Sequence, residues 1–425
     1  MIQKNKYSSR ILAFVMLFTL GILFSCNKDF PEPTEKTANE YIYEKFIDWY
    51  LWYDEIPVID PNGIESREAL VDSIRNPVDN WSFVASYTTV QSWYQKGEYT
   101  GFGAGFMIDN EQTIRITHVY TDSPFGRLGV ERGWKVRSVN GYTVQELDRV
   151  NEALNSEEEV VFEMEDRDSA SHRFSVKRGS IHANSVLHHS IHPSGNRTIG
   201  YLVFDSFLNT SSAELKAVAD TFSREQITDL IVDLRYNGGG LNSVAYQLVG
   251  MIGGERVKGQ VISTVQHNPK HSSQNESTRS EYEGTVFPVS SVYFITTSHT
   301  ASASELVINA LEPYMDVRLV GENTHGKPVG MYIFNVEKYD LAIVPVSFKS
   351  VNSEGFGDYF RGLPADFFEN DDLTKNWGDP EEDMLKTTLG LISNPIASAT
   401  GTKSQAVRSS TPWPYTGIHQ IIGAW

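Results

Sequence analysis

Two short segments carry the residue types that acyl-transfer chemistry needs. The first is His299-Thr300-Ala301-Ser302-Ala303-Ser304-Glu305, between an apolar run at Tyr293-Phe294-Ile295 and a helical pattern from Leu306 to Leu311. A serine at a strand-to-helix turn projects its hydroxyl, and the next backbone N–H is aimed at the same spot. That arrangement suits a nucleophile with its own oxyanion donor. The same residues also fit a capping box, Ser302-x-x-Glu305, in which the serine only closes a helix end. The second segment, Asp233-Leu234-Arg235-Tyr236-Asn237-Gly238-Gly239-Gly240, follows an apolar strand and precedes a helical pattern. Its glycines free backbone N–H groups to turn inward at a helix N-terminus, where an anion is favoured. The anion is either a phosphate or the oxyanion of an acyl-transfer intermediate. The plainer reading is a flexible connection.

A serine nucleophile needs a base. None of the 11 histidines lies in an acid–histidine motif, although His299 and His325 flank the chemistry and keep a histidine base open. His182, His188, His189 and His192 cluster, but their spacing crosses strand-like sequence, so no metal is expected there. The better candidate is Lys327 in Gly321-Glu322-Asn323-Thr324-His325-Gly326-Lys327-Pro328, 25 residues past Ser302. Burial would lower its pKa enough for it to accept a proton; left on the surface it is an ordinary turn lysine.

Ala301-Ser302-Ala303-Ser304-Glu305, followed by the lysine of Gly-Glu-x-Thr-x-Gly-Lys, resembles the C-terminal processing (tail-specific) serine protease family. Asp233 to Gly240 is similar to that family's Asp-Leu-Arg-x-Asn-x-Gly-Gly loop. Gly362-Leu363-Pro364-Ala365-Asp366 and Gly378-Asp379-Pro380 resemble its Pro-Asp and Asp-Pro elements. The resemblance runs over roughly residues 40–395. It implies a Ser–Lys peptidase with no cofactor: Ser302 as nucleophile, Lys327 as general base, and the N–H groups of Ala303 and Gly240 as oxyanion hole. Gly239 is the alternative donor if the glycine run is shifted by one. Glu305 supports the turn rather than reacting. Two positions depart from the family: Met331 stands where many members carry a glutamine, and Pro313, beside Glu312, where many carry an aspartate. The group that orients Lys327 is therefore not given by the resemblance.

The elements that must position these residues alternate in type. Ile199–Phe204, Asp229–Leu234, Ser291–Thr297, Val317–Val320 and Leu341–Val346 read as strands. Ser211–Phe222, Leu241–Ile252 and Ser302–Leu311 read as helices. The alternation predicts an α/β core with a largely parallel sheet and flanking helices, ClpP/crotonase-like by the resemblance, over 181–395. The polar stretch His267 to Gly284 reads as a mobile loop. Residues 39–95 read as a short helical N-terminal region with an aromatic face from Tyr41 to Tyr53. Residues 96–180 read as a β-rich module, with strands at Thr113–Val119, Lys135–Val139, Val160–Met164 and Arg173–Val176 and a hairpin turn at Asn140-Gly141. The Gly101-Phe102-Gly103 loop, the Ser123-Pro124 to Gly129-Val130 helix and Val136-Arg137-Ser138-Val139-Asn140-Gly141 resemble a PDZ domain of the bacterial protease type, with Gly133-Trp134 where Gly-Asp is usual. By that resemblance Gly101, Phe102 and Gly103 lie in a peptide-binding loop; as plain turn glycines they only allow a tight bend.

The chain ends and the composition bound the setting. Lys4, Lys6 and Arg10 precede the apolar run Ile11 to Phe24, too short to span a bilayer and suited to a secretory signal. Leu23-Phe24-Ser25-Cys26 resembles a bacterial lipobox. The expected organisation is a lipoprotein signal peptide (1–25), a tether (26–38) lipidated at Cys26, and a small polar tail (396–425). Localisation is expected at the cell envelope, on the outer membrane or the periplasmic face, with the lipid as the membrane contact. Net charge is −18 over 425 residues, which excludes a general nucleic-acid binder. Three functions stay open: an endopeptidase, a non-catalytic peptide-binding lipoprotein on the same scaffold, and another acyl hydrolase such as an esterase.

Overall fold

The structure, a computed structural model, describes residues 35–109 and 111–394, and the unit beginning at Ala38 carries every element below. The apolar leader, Cys26 and the polar tail lie outside the described residues.

The N-terminal region is helical where its aromatic spacing is helical. α1 (Ala38–Trp49) buries Ile42 and Phe46 on one face, and the chain leaves the helix at Tyr50. α2 (Arg67–Ile74) starts at Ser66, whose Oγ accepts from the Ala69 N–H at 3.0 Å, and buries Leu70, Val71 and Ile74 against α1. β1 (Phe83–Ser86) leads into α3 (Tyr87–Lys96), which Gly97 closes in the left-handed region at φ 68°.

The β-rich module comes next: β2 (Glu98–Gly101), β3 (Ala104–Ile108), β4 (Ile114–Val119), α4 (Pro124–Arg127), β5 (Lys135–Val139), α5 (Leu147–Leu154), β6 (Val160–Glu165), β7 (Ser171–Val176) and β8 (Gly179–His182). β3 to β7 form a five-stranded antiparallel sheet, and β2 pairs with β8. Asn140 (φ 52°) and Gly141 (φ 84°) make the two-residue turn, with Val139 and Tyr142 exchanging both backbone hydrogen bonds. Phe102, Phe125 and Phe162 pack together at the module's centre.

The α/β core holds β9 (Val186–Ser194), β10 (Arg197–Phe204), α6 (Ser211–Arg224), β11 (Asp229–Asp233), α7 (Asn242–Gly253), β12 (Val261–His267), β13 (Glu276–Arg279), β14 (Ser291–Thr296), α8 (Ala303–Leu311), β15 (Asp316–Gly321), β16 (Val329–Met331), β17 (Phe334–Val336), β18 (Leu341–Val344), β19 (Val346–Val351) and α9 (Asp383–Ser393). Its main sheet has the order β15-β14-β11-β10-β9. The first four strands are parallel, and β9 is an antiparallel edge. Both faces are covered, which is why these strands are continuous apolar runs. Leu202, Phe204 and Val232 face the cluster that includes α6, α7 and α8, while Tyr201, Val203 and Ile231 face α9 through Met384 and Leu385. Two smaller sheets complete the core, β13-β12-β19-β16 and β1-β18-β17. Through β1 the N-terminal region is built into the core, and Ile42 and Phe46 share a cluster with Leu341, Ile343 and Val346.

Two expectations change. Leu341–Val346 is not one strand: Pro345, which has no N–H to donate, separates β18 from β19, and each joins a different sheet. The stretch from His267 is not a free loop either. It forms a 3₁₀ turn (Pro269–Gln274) and β13, and it is fastened to α1. Asn268 Nδ2 donates to Asp48 O at 3.0 Å and Tyr50 O at 2.9 Å, and His271 stacks on Trp49 at 3.7 Å. Those partners lie some 220 residues away in sequence, so composition alone shows only polarity.

Candidate active site

β14 delivers its chain end to a turn that reverses into α8 at Ser302. Ser302 sits at φ 56° and ψ −113°, a strained setting for a residue with a Cβ. The surroundings hold it there. Ala301 N donates to Asn237 O at 3.0 Å, Ser304 Oγ to the same oxygen at 3.0 Å, and Thr300 Oγ1 to Leu234 O at 2.8 Å. The serine turn is thus bonded directly onto the glycine segment that follows β11.

That segment is fixed in turn. Asn237 Nδ2 donates to Phe204 O at 2.9 Å and its Oδ1 accepts from the Gly239 N–H at 2.9 Å. Phe207 N donates to Gly239 O, and Leu241 N to Phe207 O. At Gly239 (φ 103°) a Cβ would lie 2.8 Å from Ser302 Cβ, and at Gly240 (φ 142°) 2.3 Å from Phe207 O. Both contacts are too close for a side chain. Gly240→Ala is therefore expected to lower stability by about 1–3 kcal/mol through backbone displacement, read as a fall in Tm by calorimetry; an unchanged Tm would contradict the packing.

Behind the loop lies an ionic cluster. Arg235, 1% exposed, pairs with Asp233, with Asp371 at 2.7 Å and with Glu382 at 2.6 Å. Arg132 of the β-rich module reaches the same Asp371 at 2.9 Å and donates to Tyr236 Oη at 2.9 Å. Burial pushes Asp371 up, but the two guanidiniums hold it down to about 2.

Lys327 arrives from the other side. β15 ends at Gly321, and the chain crosses to Lys327, which is 4% exposed. Gly326 (φ 93°) is required there, because a Cβ would meet Phe360 O and Gly362 N at 2.6 Å. Gly362-Leu363 backs the loop: Leu363 N donates to Thr324 Oγ1 at 2.7 Å and Thr324 N to Leu363 O at 3.0 Å. Burial lowers the Lys327 ammonium to about 8, against the opposing pull of Asp79 and Glu305.

Glu305 joins the two halves. Its Oε2 accepts from Ser302 N at 2.9 Å and Lys327 N at 2.8 Å; its Oε1 accepts from Thr324 Oγ1 at 2.5 Å and Gly326 N at 2.7 Å. Burial pushes this carboxyl up, and the four hydrogen bonds pull the other way. One carboxylate therefore sets the spacing between the serine turn and the lysine loop.

Ser302, Lys327 and Gly238 to Gly240 line one cavity of about 240 Å³, with Met331, Tyr332 and Phe348 among its apolar walls. His299 and His325 do not line it. His325 is engaged on both ring nitrogens, Nε2 by Trp81 Nε1 at 3.2 Å and Nδ1 by Ser298 O at 3.2 Å. Pro313 follows α8 at the end remote from Ser302. Gly101, Phe102 and Gly103 are elsewhere, in the β-rich module. The Phe102 side chain is buried against Phe125, so only backbone there can meet a ligand. His182 pairs with Glu98 at 3.1 Å, and His188, His189 and His192 lie on β9. Among the described residues no group of three or more metal-ligating side chains comes together. The sequence reading missed Arg132, Asp371 and Glu382, which gather around Arg235 behind the glycine loop only through the fold.

Comparison with known proteins bears on the same residues. The sequence model of peptidase family S41 matches residues 198–355, and that of the peptidase S41 N-terminal domain matches residues 37–83. A "Probable CtpA-like serine protease" of Staphylococcus epidermidis is 25% identical over 396 residues, 88% of this chain and 77% of that protein. A second, from another strain of that species, is 25% identical over 302 residues, and the match spans 58% of its length. The chain thus spans little more than half the length of that second relative. The crystal structure of a "Putative S41 protease" from Bacteroides fragilis shares the fold at TM-score 0.70 and 23% identity, over 85% of this chain and 99% of that one.

Proposed function

The chain belongs to peptidase family S41, of the C-terminal processing type, and we propose that within it the protein is a serine endopeptidase working through Ser302 and Lys327. One observation carries the reading: a serine at a strand-to-helix turn and a buried lysine lowered to about 8 line the same cavity beside a glycine loop.

In the proposed reaction neutral Lys327 Nζ takes the Ser302 proton as Oγ attacks the peptide carbonyl. The N–H groups of Ala303 and Gly240 receive the oxyanion. Gly240 is favoured over Gly239, whose N–H is already committed to Asn237. The lysine ammonium then protonates the leaving amine, and water hydrolyses the acyl-enzyme. The antiparallel β-rich module supports a PDZ-like reading, in which a substrate end adds a strand beside Gly101 to Gly103. Substrates are polypeptides of the envelope, and a lipid on Cys26 would hold the enzyme at that surface.

The test is hydrolysis of an unfolded polypeptide across pH. Only neutral Lys327 acts as base, so the rate rises with pH. With a pKa of about 8, it climbs roughly fiftyfold from pH 6 to pH 8 and at most about twofold beyond. A flat profile excludes the lysine base. Met331, in place of the family's glutamine, favours a second reading, a peptide-binding scaffold; peptide binding without turnover would select it. Turnover of small esters alone would select an esterase.

A further inference from the structure

We infer that Arg132, on the β-rich module, is a positioning residue for the oxyanion loop: through Tyr236 it holds the turn from Asn237 to Gly240 in the geometry that aims the Gly240 N–H at the developing oxyanion. The inference rests on the Ser302–Lys327 reading and gives the β-rich module a part in the chemical step.

Arg132 lies in the turn before β5 and is 3% exposed. A guanidinium is kept at this depth only where its donors are met, and all five N–H groups are. One bond stays in the module, from Nη1 to Thr117 O at 3.0 Å. The other four cross to the core: Nη1 to Tyr236 Oη at 2.9 Å, Nη2 to Asp371 Oδ1 at 2.9 Å and Asp372 O at 3.3 Å, and Nε to Lys375 O at 3.1 Å. The guanidinium also lies 3.9 Å over the Trp377 ring. Tyr236 Oη accepts from Arg132 and donates to Asp371, so the phenol is held from both sides. The next residue is the joint of the site. Asn237 O accepts from Ala301 N and Ser304 Oγ, and its Oδ1 fixes Gly239 N. Residue 236 is the position that the Asp-Leu-Arg-x-Asn motif leaves open, so the resemblance gives neither Tyr236 nor its link to Arg132. A second side chain of the module grips the other flank of the loop. Tyr120 Oη donates to Asp205 Oδ2 at 2.8 Å, two residues before Phe207, whose N and O bond Gly239 O and Leu241 N.

Arg132→Met keeps an unbranched stem and removes the donors, while Asp371 retains Arg235 as its partner at 2.7 Å. The variant should lower kcat per folded molecule by about 10- to 100-fold with KM within about twofold, because substrate contacts stay and only the oxyanion donor is displaced. A merely structural role would act through the unfolded fraction and leave kcat per folded molecule at the parental value. Tyr236→Phe keeps the ion pairs and removes only the hydroxyl, so it should lose part of the same kcat. The double variant should be no slower than Arg132→Met alone, since both changes break one link. Hydrogen exchange followed by mass spectrometry reads the loop without any turnover: amides from Gly238 to Leu241 should exchange at least about tenfold faster in both single variants. Parental kcat per folded molecule, a loss carried by KM, losses that multiply in the double variant, or unchanged protection of the loop would each overturn the inference. Should Arg132→Met fail to fold, Tyr236→Phe decides by the same kcat and exchange measurements. If instead hydrolysis by the parent chain survives Ser302→Ala, it is the catalytic reading that fails, while the exchange result still decides whether Arg132 holds the loop.

Discussion

Ser302→Ala is expected to lower peptide hydrolysis by at least about 10⁴-fold while leaving Tm nearly unchanged. The activity loss follows from chemistry: without Oγ no acyl-enzyme forms, and the oxyanion donors are left to assist only direct attack by water. The unchanged stability follows from packing. Ser302 is only partly buried; its side chain takes part in the capping box of α8, worth about 1 kcal/mol, and the turn is otherwise held through the backbone of Ala301 and the side chains of Thr300 and Ser304. Alanine inherits the same φ. Measured kcat/KM on an unfolded polypeptide, with Tm alongside, checks both halves. Residual hydrolysis within tenfold of the parent would contradict the assignment.

The second large effect concerns Glu305, fully buried at 0% exposure. Glu305→Ala deprives four donors of their acceptor, three of them backbone N–H groups in the turns that carry Ser302 and Lys327. Buried donors left unsatisfied cost about 1–3 kcal/mol each before relaxation, so a net loss of about 3–5 kcal/mol is expected. In a chain of this size that lowers Tm by about 5 °C. Hydrolysis should fall by about 10²-fold or more, because Ser302 and Lys327 lose the group that spaces them. Glu305→Gln keeps one oxygen but turns an amide toward donors, so an intermediate result is expected. A Glu305→Ala protein with parental Tm and rate would show that the two turns are held by something else.

Much of this site is written locally. Ser302, Lys327 and the glycine segment each follow a strand of the main sheet, and chain reversal at a strand's end leaves short signals: small residues, a capping acid, glycines where a Cβ cannot fit. The parallel strands were readable for a related reason, since burial on both faces makes each an unbroken apolar run. What escaped reading depends on partners far away in the chain. Arg132 meets Asp371 and Arg235 through the packing of the β-rich module on the core. The segment after His267 is ordered because Asp48, Trp49 and Tyr50 receive it. Leu341 to Val346 reads as one strand, and that Pro345 divides it between two sheets appears only in the fold.

Covalent labelling reads the activation of Ser302 directly. A fluorophosphonate probe, which reacts with an activated serine and not with a capping one, is added to the purified protein, and the modified residue is located by mass spectrometry. A single adduct on Ser302 is expected, formed faster at pH 8 than at pH 6 and lost in Lys327→Ala. No adduct on Ser302, or equal labelling with and without Lys327, would contradict it.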